Sequence, residues 1–159
     1  LYAFCDLDRF HELKTILQSV GWDVFRTPFV IHKMNSGRVP RPEHGPRRQY
    51  ELCLYAIKGG KPVTQILPDV ISAQADPNMT HGAQKPVAVY QNLLQRSIKP
   101  GDHILDCFAG SGTLLPAAHT LKCRATLIER EEEYYGMCLK RVEDLRAMEN
   151  NLVLPGFEL

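Results

Sequence analysis

Residues 104–113 read Ile-Leu-Asp-Cys-Phe-Ala-Gly-Ser-Gly-Thr, and their order is that of a small-molecule site. An apolar run ends in Asp106, a turn of small residues follows, and a helical pattern opens at Leu114. Strand, glycine turn and helix start form a nucleotide pocket because glycines let backbone approach a ligand and the helix start presents unbonded N–H groups. A second apolar run, Ala125-Thr126-Leu127-Ile128, ends in Glu129. A carboxylate at that strand tip is placed to accept hydrogen bonds from ribose hydroxyls. The bland alternatives are an ordinary strand–turn–helix and, for Glu129, the first of a run of acids favouring a helix start, since Glu131, Glu132 and Glu133 follow.

The choice of nucleoside follows from charge and spacing. Gly110 and Gly112 start a dinucleotide fingerprint, but its third glycine is replaced by Leu115. Asp106 would also face a pyrophosphate. A carboxylate beside the turn suits a ligand with cationic groups and no phosphates, and S-adenosylmethionine is such a ligand.

The same residues resemble a family. Asp106-Cys107-Phe108-Ala109-Gly110-Ser111-Gly112-Thr113 is similar to the Asp-x-Phe-x-Gly-x-Gly-Thr signature of amino-methyltransferases that modify adenine or cytosine in DNA. Gln84-Lys85-Pro86 resembles the Lys-Pro motif ahead of that turn, and Glu129 with Tyr134 and Arg141 resembles the family's Glu-x-x-x-x-Tyr and helical Arg. The resemblance is strong over residues 81–145 and looser over 1–58. It implies S-adenosylmethionine held by Gln84, Lys85, Pro86, Asp106, Phe108, Gly110, Ser111, Gly112, Thr113, Glu129 and Arg130, with His81 close by. Asp106 would meet the methionine amino group, Phe108 would line the methionine portion, and Arg130 would flank the adenine. Tyr134 and Arg141 are expected to be structural, one in the core and one on a solvated face.

The family's catalytic motif, Asp/Asn/Ser-Pro-Pro-Tyr/Phe, has no counterpart here. The nearest string, Asp76-Pro77-Asn78-Met79, lacks the second proline and the aromatic, and reads as a turn. No catalytic residue is therefore assigned. In the subgroup whose glycine turn comes last, that motif lies upstream, so the chain is expected to be the C-terminal part of a longer polypeptide, inactive in isolation. The resemblance also implies double-stranded DNA as partner and a restriction-modification setting. Two other classes stay open: a degenerate, non-catalytic methyltransferase module that binds DNA or a partner protein, and an enzyme acting on RNA or another amine.

A second chemical feature is basic. Lys33, Arg38, Arg41, Arg47 and Arg48 cluster around prolines with a single acid, Glu43. The prolines are expected to keep this loop extended, able to run along phosphates, and the family's variable target-reading region falls hereabouts. A solvated surface loop is the alternative. The net charge of +1 supplies no global pull toward nucleic acid.

The elements that must carry these residues follow from periodicity. Leu1–Cys5 reads as a buried strand. Phe10, Leu13, Leu17 and Val20 form one helical stripe closed by Gly21. Residues 22–31 read as a strand broken by Pro28, 34–49 as the basic loop, and 50–57 as a strand. Residues 62–86 show four prolines and no period. Helices are expected at 87–97, 113–121 and 130–148, strands at 103–107 and 125–128, and a loose tail at 150–159.

The expected fold is α/β, a Rossmann-like S-adenosylmethionine-dependent methyltransferase sheet, incomplete in this chain, forming a single domain fragment over 1–159. By the resemblance the missing upstream piece carries two strands, one of them central, which leaves a gap beside 103–107. Residues 1–5 are expected to close that gap, or a second copy of the chain to fill it as a homodimer. With 44% apolar and 23% charged residues the composition is that of a globular domain, and no apolar stretch is long enough to span a membrane. The five cysteines have no metal-ligand spacing and read as reduced thiols of a cytoplasmic protein.

Overall fold

The computed structural model describes residues 1–35, 37, 39, 41–74 and 84–152. Their contacts divide the chain into two compact units, one of Leu1–Pro77 with Asn92–Ile98, the other of Asn78–Gln91 with Lys99–Leu159.

The first unit is built around one strand. β1 (Tyr2–Cys5) leads into α1 (Leu7–Ser19), followed by β2 (Asp23–Val24), β3 (Phe29–Lys33), β4 (Tyr50–Ile57) and β5 (Val70–Ala73). β4 pairs antiparallel with β1, β2 and β3, and β3 pairs parallel with β5. Five consecutive residues of β4, Leu52 to Ala56, are buried, because a central strand is covered on both faces. Leu54 and Ala56 meet Phe10, Leu13 and Leu17 of α1. Tyr55 stacks on Tyr2 at 5.0 Å and tilts against Phe25 at 4.7 Å. Three of the four stripe residues thus pack as expected. Val20 does not: it is the C-cap and lies exposed, because the chain leaves the helix there. Gly21 takes φ +85°, and the amides of Gly21 and Trp22 reach back to Gln18 and Leu17. The break at Pro28 separates β2 from β3, which pair with successive stretches of β4.

β1 registers Tyr2 against Tyr55, so β4 takes one edge of residues 1–5. One expectation is corrected here. The basic loop is not extended: β3 and β4 are antiparallel neighbours, and 34–49 is their hairpin connection. Its two arms approach closely at Gly37, where a Cβ would come within 2.9 Å of Arg47, Arg48 and Gln49 atoms. The amides of His44 and Gly45 turn back onto the Arg41 carbonyl.

The second unit carries the glycine turn. α2 (Val87–Gln95) begins in it and ends in the first unit. β6 (His103–Asp106), α3 (Leu114–Thr120), β7 (Arg124–Leu127) and α4 (Glu132–Leu152) follow. β6 and β7 are parallel, Asp106 opposite Leu127, with α3 as the crossover. Leu114, Ala117 and Ala118 of α3 are buried. Pro116 is the third residue of α3, where its missing N–H disrupts no intrahelical bond. Lys122 closes α3 at φ +54°, its amide bonded to His119 O and that of Cys123 to Ala118 O. α4 continues to Leu152, three residues into the stretch expected as tail. Among the described residues β6 pairs with β7 alone.

Candidate functional site

β6 and β7 deliver their last residues side by side. Ile128 N–H donates to Asp106 O, and Ala109 N–H to Ile128 O, so the glycine turn continues the parallel ladder beyond the strands. Two side chains at the strand ends then cap the turn. The Asp106 carboxylate accepts the Phe108 N–H at 3.0 Å. The Glu129 carboxylate accepts the Gly110 N–H at 2.7 Å through Oε2, and the Arg130 and Glu131 N–H groups at 2.8 and 2.9 Å through Oε1.

These two acids have opposite electrostatics. Burial pushes the Asp106 carboxyl up, the Phe108 N–H opposes it, and the negative charge of Glu129 adds to it. Glu129 is held down by its backbone donors, the Glu131 and Gly110 N–H groups foremost.

Behind the turn stands α4. Cys138 Sγ donates to Gly110 O at 3.2 Å, and Arg141 Nε to Ser111 O at 2.6 Å. The two residues are three apart and so share one helix face. Gly112, at φ +72°, touches both: a Cβ there would lie 3.0 Å from Cys138 Sγ and 3.4 Å from Arg141 Cδ. Burial raises the Cys138 thiol, and the charges of Glu129 and Asp106 raise it further against Arg141. Gly110, at φ +53°, has nothing within 4 Å of a built Cβ, so that side of the turn is open.

The other sequence-predicted residues fall as follows. Phe108 is 91% exposed. Ser111 and Thr113 are buried, their hydroxyls 3.3 Å apart. Arg130 projects into solvent and pairs with Glu131 at 2.7 Å. Gln84, Lys85 and Pro86 are half-buried ahead of α2, and the Val89 N–H bonds to Pro86 O. His81 and the string Asp76–Met79 lie outside the described residues, as does Arg38. In the first unit Lys33 forms an ion pair with Glu51, Arg48 with Asp6 at 2.7 Å, and Arg41 and Arg47 are exposed. All five cysteines are free thiols, and no metal-binding cluster occurs among the described residues.

Sequence reasoning missed the α4 contacts. Arg141 is half-buried and tied to the turn rather than facing solvent, a correction to the expected solvated face. Tyr134 is half-buried. The available signal was Gly112 itself, since a turn glycine needed for close approach requires a neighbour that approaches. Spacing along the chain does not reveal which neighbour.

The structure superimposes on solved methyltransferases. It matches the M1.HpyAVI–SAM complex with a TM-score of 0.76 and 23% identity, over 88% of this chain and 73% of that one. It matches PvuII DNA methyltransferase (cytosine-N4-specific) with a TM-score of 0.73 and 15% identity, over 86% of this chain and 57% of that one. At these identities the likeness establishes the fold, an α/β methyltransferase fold. Among curated relatives, the type II methyltransferase M.HinfI of Haemophilus influenzae is 33% identical over 79 residues, 50% of this chain and 22% of its own. The putative methylase YubD of Escherichia coli is 34% identical over 100 residues, 61% of this chain and 44% of its own. The type II methyltransferase M2.DpnII of Streptococcus pneumoniae is 41% identical over 63 residues, 40% of this chain and 24% of its own. The chain thus spans less than half the length of these relatives. Residues 58–140, just over half of the chain, match the DNA methylase model of the N6/N4 methyltransferases, and the chain belongs to that family.

Proposed function

We propose that this chain is the S-adenosylmethionine-binding part of a DNA methyltransferase acting on the exocyclic amino group of adenine or cytosine. The observation that carries this reading is the capping of the turn by acids. A turn that cradles phosphates keeps its N–H groups free for anions. Here the Phe108 and Gly110 N–H groups are bonded to Asp106 and Glu129, and two carboxylates face the ligand side. Such a mouth repels a pyrophosphate and suits a ligand that brings ammonium, sulfonium and hydroxyl donors.

The residues divide that ligand among them. A carboxylate has about four acceptor positions. Glu129 uses two on Oε1 and one on Oε2, which leaves Oε2 to accept a ribose hydroxyl. Asp106 presents its second oxygen to the methionine ammonium. The exposed Phe108 ring forgoes roughly 2 kcal/mol of burial, which a ligand lying on it restores. Gln84, Lys85 and Pro86 belong to the same unit and bound the methionine end in this reading. Ser111 and Thr113 act through their backbone and mutual hydroxyl contact. The bound sulfonium supplies an activated methyl group, so the protein's share is orientation of donor and amine. The relatives named methyltransferases favour this reading over a non-catalytic module.

Titration calorimetry of the chain with S-adenosylhomocysteine tests it, with NAD and ATP as phosphate-bearing controls. Affinity for S-adenosylhomocysteine should fall about ten-fold or more in both Asp106→Ala and Glu129→Ala, as expected for losing a hydrogen bond to a charged group. NAD and ATP should not bind. Equal affinity in both variants, or tighter binding of NAD, would overturn the assignment.

A further inference from the structure

The glycine turn is bonded from two sides. On one side, Asp106 and Glu129 accept the N–H groups of Phe108 and Gly110. On the other side, Cys138 and Arg141 donate to the next two carbonyls, Gly110 O and Ser111 O. Between them stand Gly110 and Gly112, both at positive φ. Glycine has the widest backbone freedom of any residue, so a turn with two of them holds a single conformation only when its polar groups are tied.

We propose that Cys138 and Arg141 are positioning residues of the cofactor site: by fixing the Gly110 and Ser111 carbonyls from α4, they aim the Gly110 N–H at Glu129 and so set the carboxylate that takes the ribose. This rests on the reading above for the identity of the ligand, while the coupling of α4 to Glu129 stands on the turn alone. The geometry supports it in three ways. The two donors are adjacent on one helix face and reach consecutive carbonyls. Gly112 lies between them and the turn, where an added Cβ would come within 3.0 Å of Cys138 Sγ and 3.4 Å of Arg141 Cδ, so the close approach needs glycine. Burial and the neighbouring carboxylates keep the Cys138 thiol protonated, so it remains a donor. If the carbonyls are released, the peptide units around Gly110 rotate and Glu129 loses one of its three N–H partners.

The test uses the full chain with Arg141→Met, Arg141→Lys, Cys138→Ala and Cys138→Ser, and begins without ligand. Carbon-detected NMR follows the titration of the Glu129 carboxyl. Its midpoint should rise in Arg141→Met and in Cys138→Ala, and stay near the parent value in Cys138→Ser, whose hydroxyl can still donate. Affinity for S-adenosylhomocysteine should drop about five-fold or more in Arg141→Met and be partly restored in Arg141→Lys, and Arg141→Met should add little further loss once Glu129 is Gln. Thermal unfolding is recorded alongside. A lowered melting temperature with an unmoved Glu129 titration makes both residues merely structural and overturns the proposal. Should Arg141→Met fail to fold, Cys138→Ala, which removes one sulfur atom, decides the same question. Failure of the parent chain to bind S-adenosylhomocysteine counts against the proposed ligand, and the Glu129 titration still judges the positioning role.

Discussion

Asp106 carries an electrostatic cost to its own fold. Burial and the Glu129 charge raise its affinity for a proton in the folded state. A carboxyl whose folded value exceeds its unfolded one destabilises the fold while ionised. That penalty is full above the folded value, shrinks as pH falls through it, and is gone below the ordinary value of 3.8. Asp106→Asn keeps an oxygen for the Phe108 N–H and removes the charge. It should raise the melting temperature at pH 7 by about 2–4 °C, lose that gain on acidification, and weaken a cationic ligand. Circular-dichroism melts at pH 7 and near pH 4 check this, and a lower melting temperature at pH 7 would contradict it. Glu129 has the opposite sign. Held down by backbone donors, it stabilises the fold above its unfolded value and ceases to do so as pH falls through the folded one.

At the scale of elements, the β3–β4 hairpin decides which basic residues form ion pairs. Lys33 is engaged with Glu51 and Arg48 with Asp6, while Arg41 and Arg47 are exposed on the connection. If this hairpin meets phosphates, Arg41→Ala and Arg47→Ala should weaken binding to all duplex sequences alike and flatten the salt dependence by about one unit each. Fluorescence anisotropy with a mixed-sequence duplex over a salt series measures the slope, and an unchanged slope would reduce the hairpin to a solvated surface. Elements were unevenly legible. α1, β4 and the glycine turn show strong period or punctuation. β5, Val70–Ala73, was missed: it has four residues in a proline-bearing stretch, and its strand character comes from pairing with β3, far away in sequence.

For the molecule as a whole, the free edge of β6 matters most. Among the described residues only β7 is hydrogen-bonded to β6. Leu105 on β6 is 61% exposed and Ile128 beyond β7 is 52% exposed. An unpaired edge flanked by exposed apolar side chains is a template for strand pairing. We expect the chain to form a dimer through this edge at micromolar concentration, and Leu105→Glu to shift it toward monomer. Light scattering reads both, and a clean monomer in the unsubstituted chain would rule the edge out as an interface.

What the sequence determined by itself is what short-range physics encodes. Asp106 at a strand end, the glycine pair after it and Glu129 at the next strand end are local patterns, and the chain-order resemblance to amino-methyltransferases needs no coordinates. The tertiary structure decided everything that depends on side chains meeting across the fold. It showed that Glu129 bonds the Gly110 amide, that Cys138 and Arg141 donate to carbonyls of the turn, and that β1 joins β4. Partner choice at these places is set by competition among distant segments for the same burial and hydrogen bonds, and no window along the chain contains the competitors.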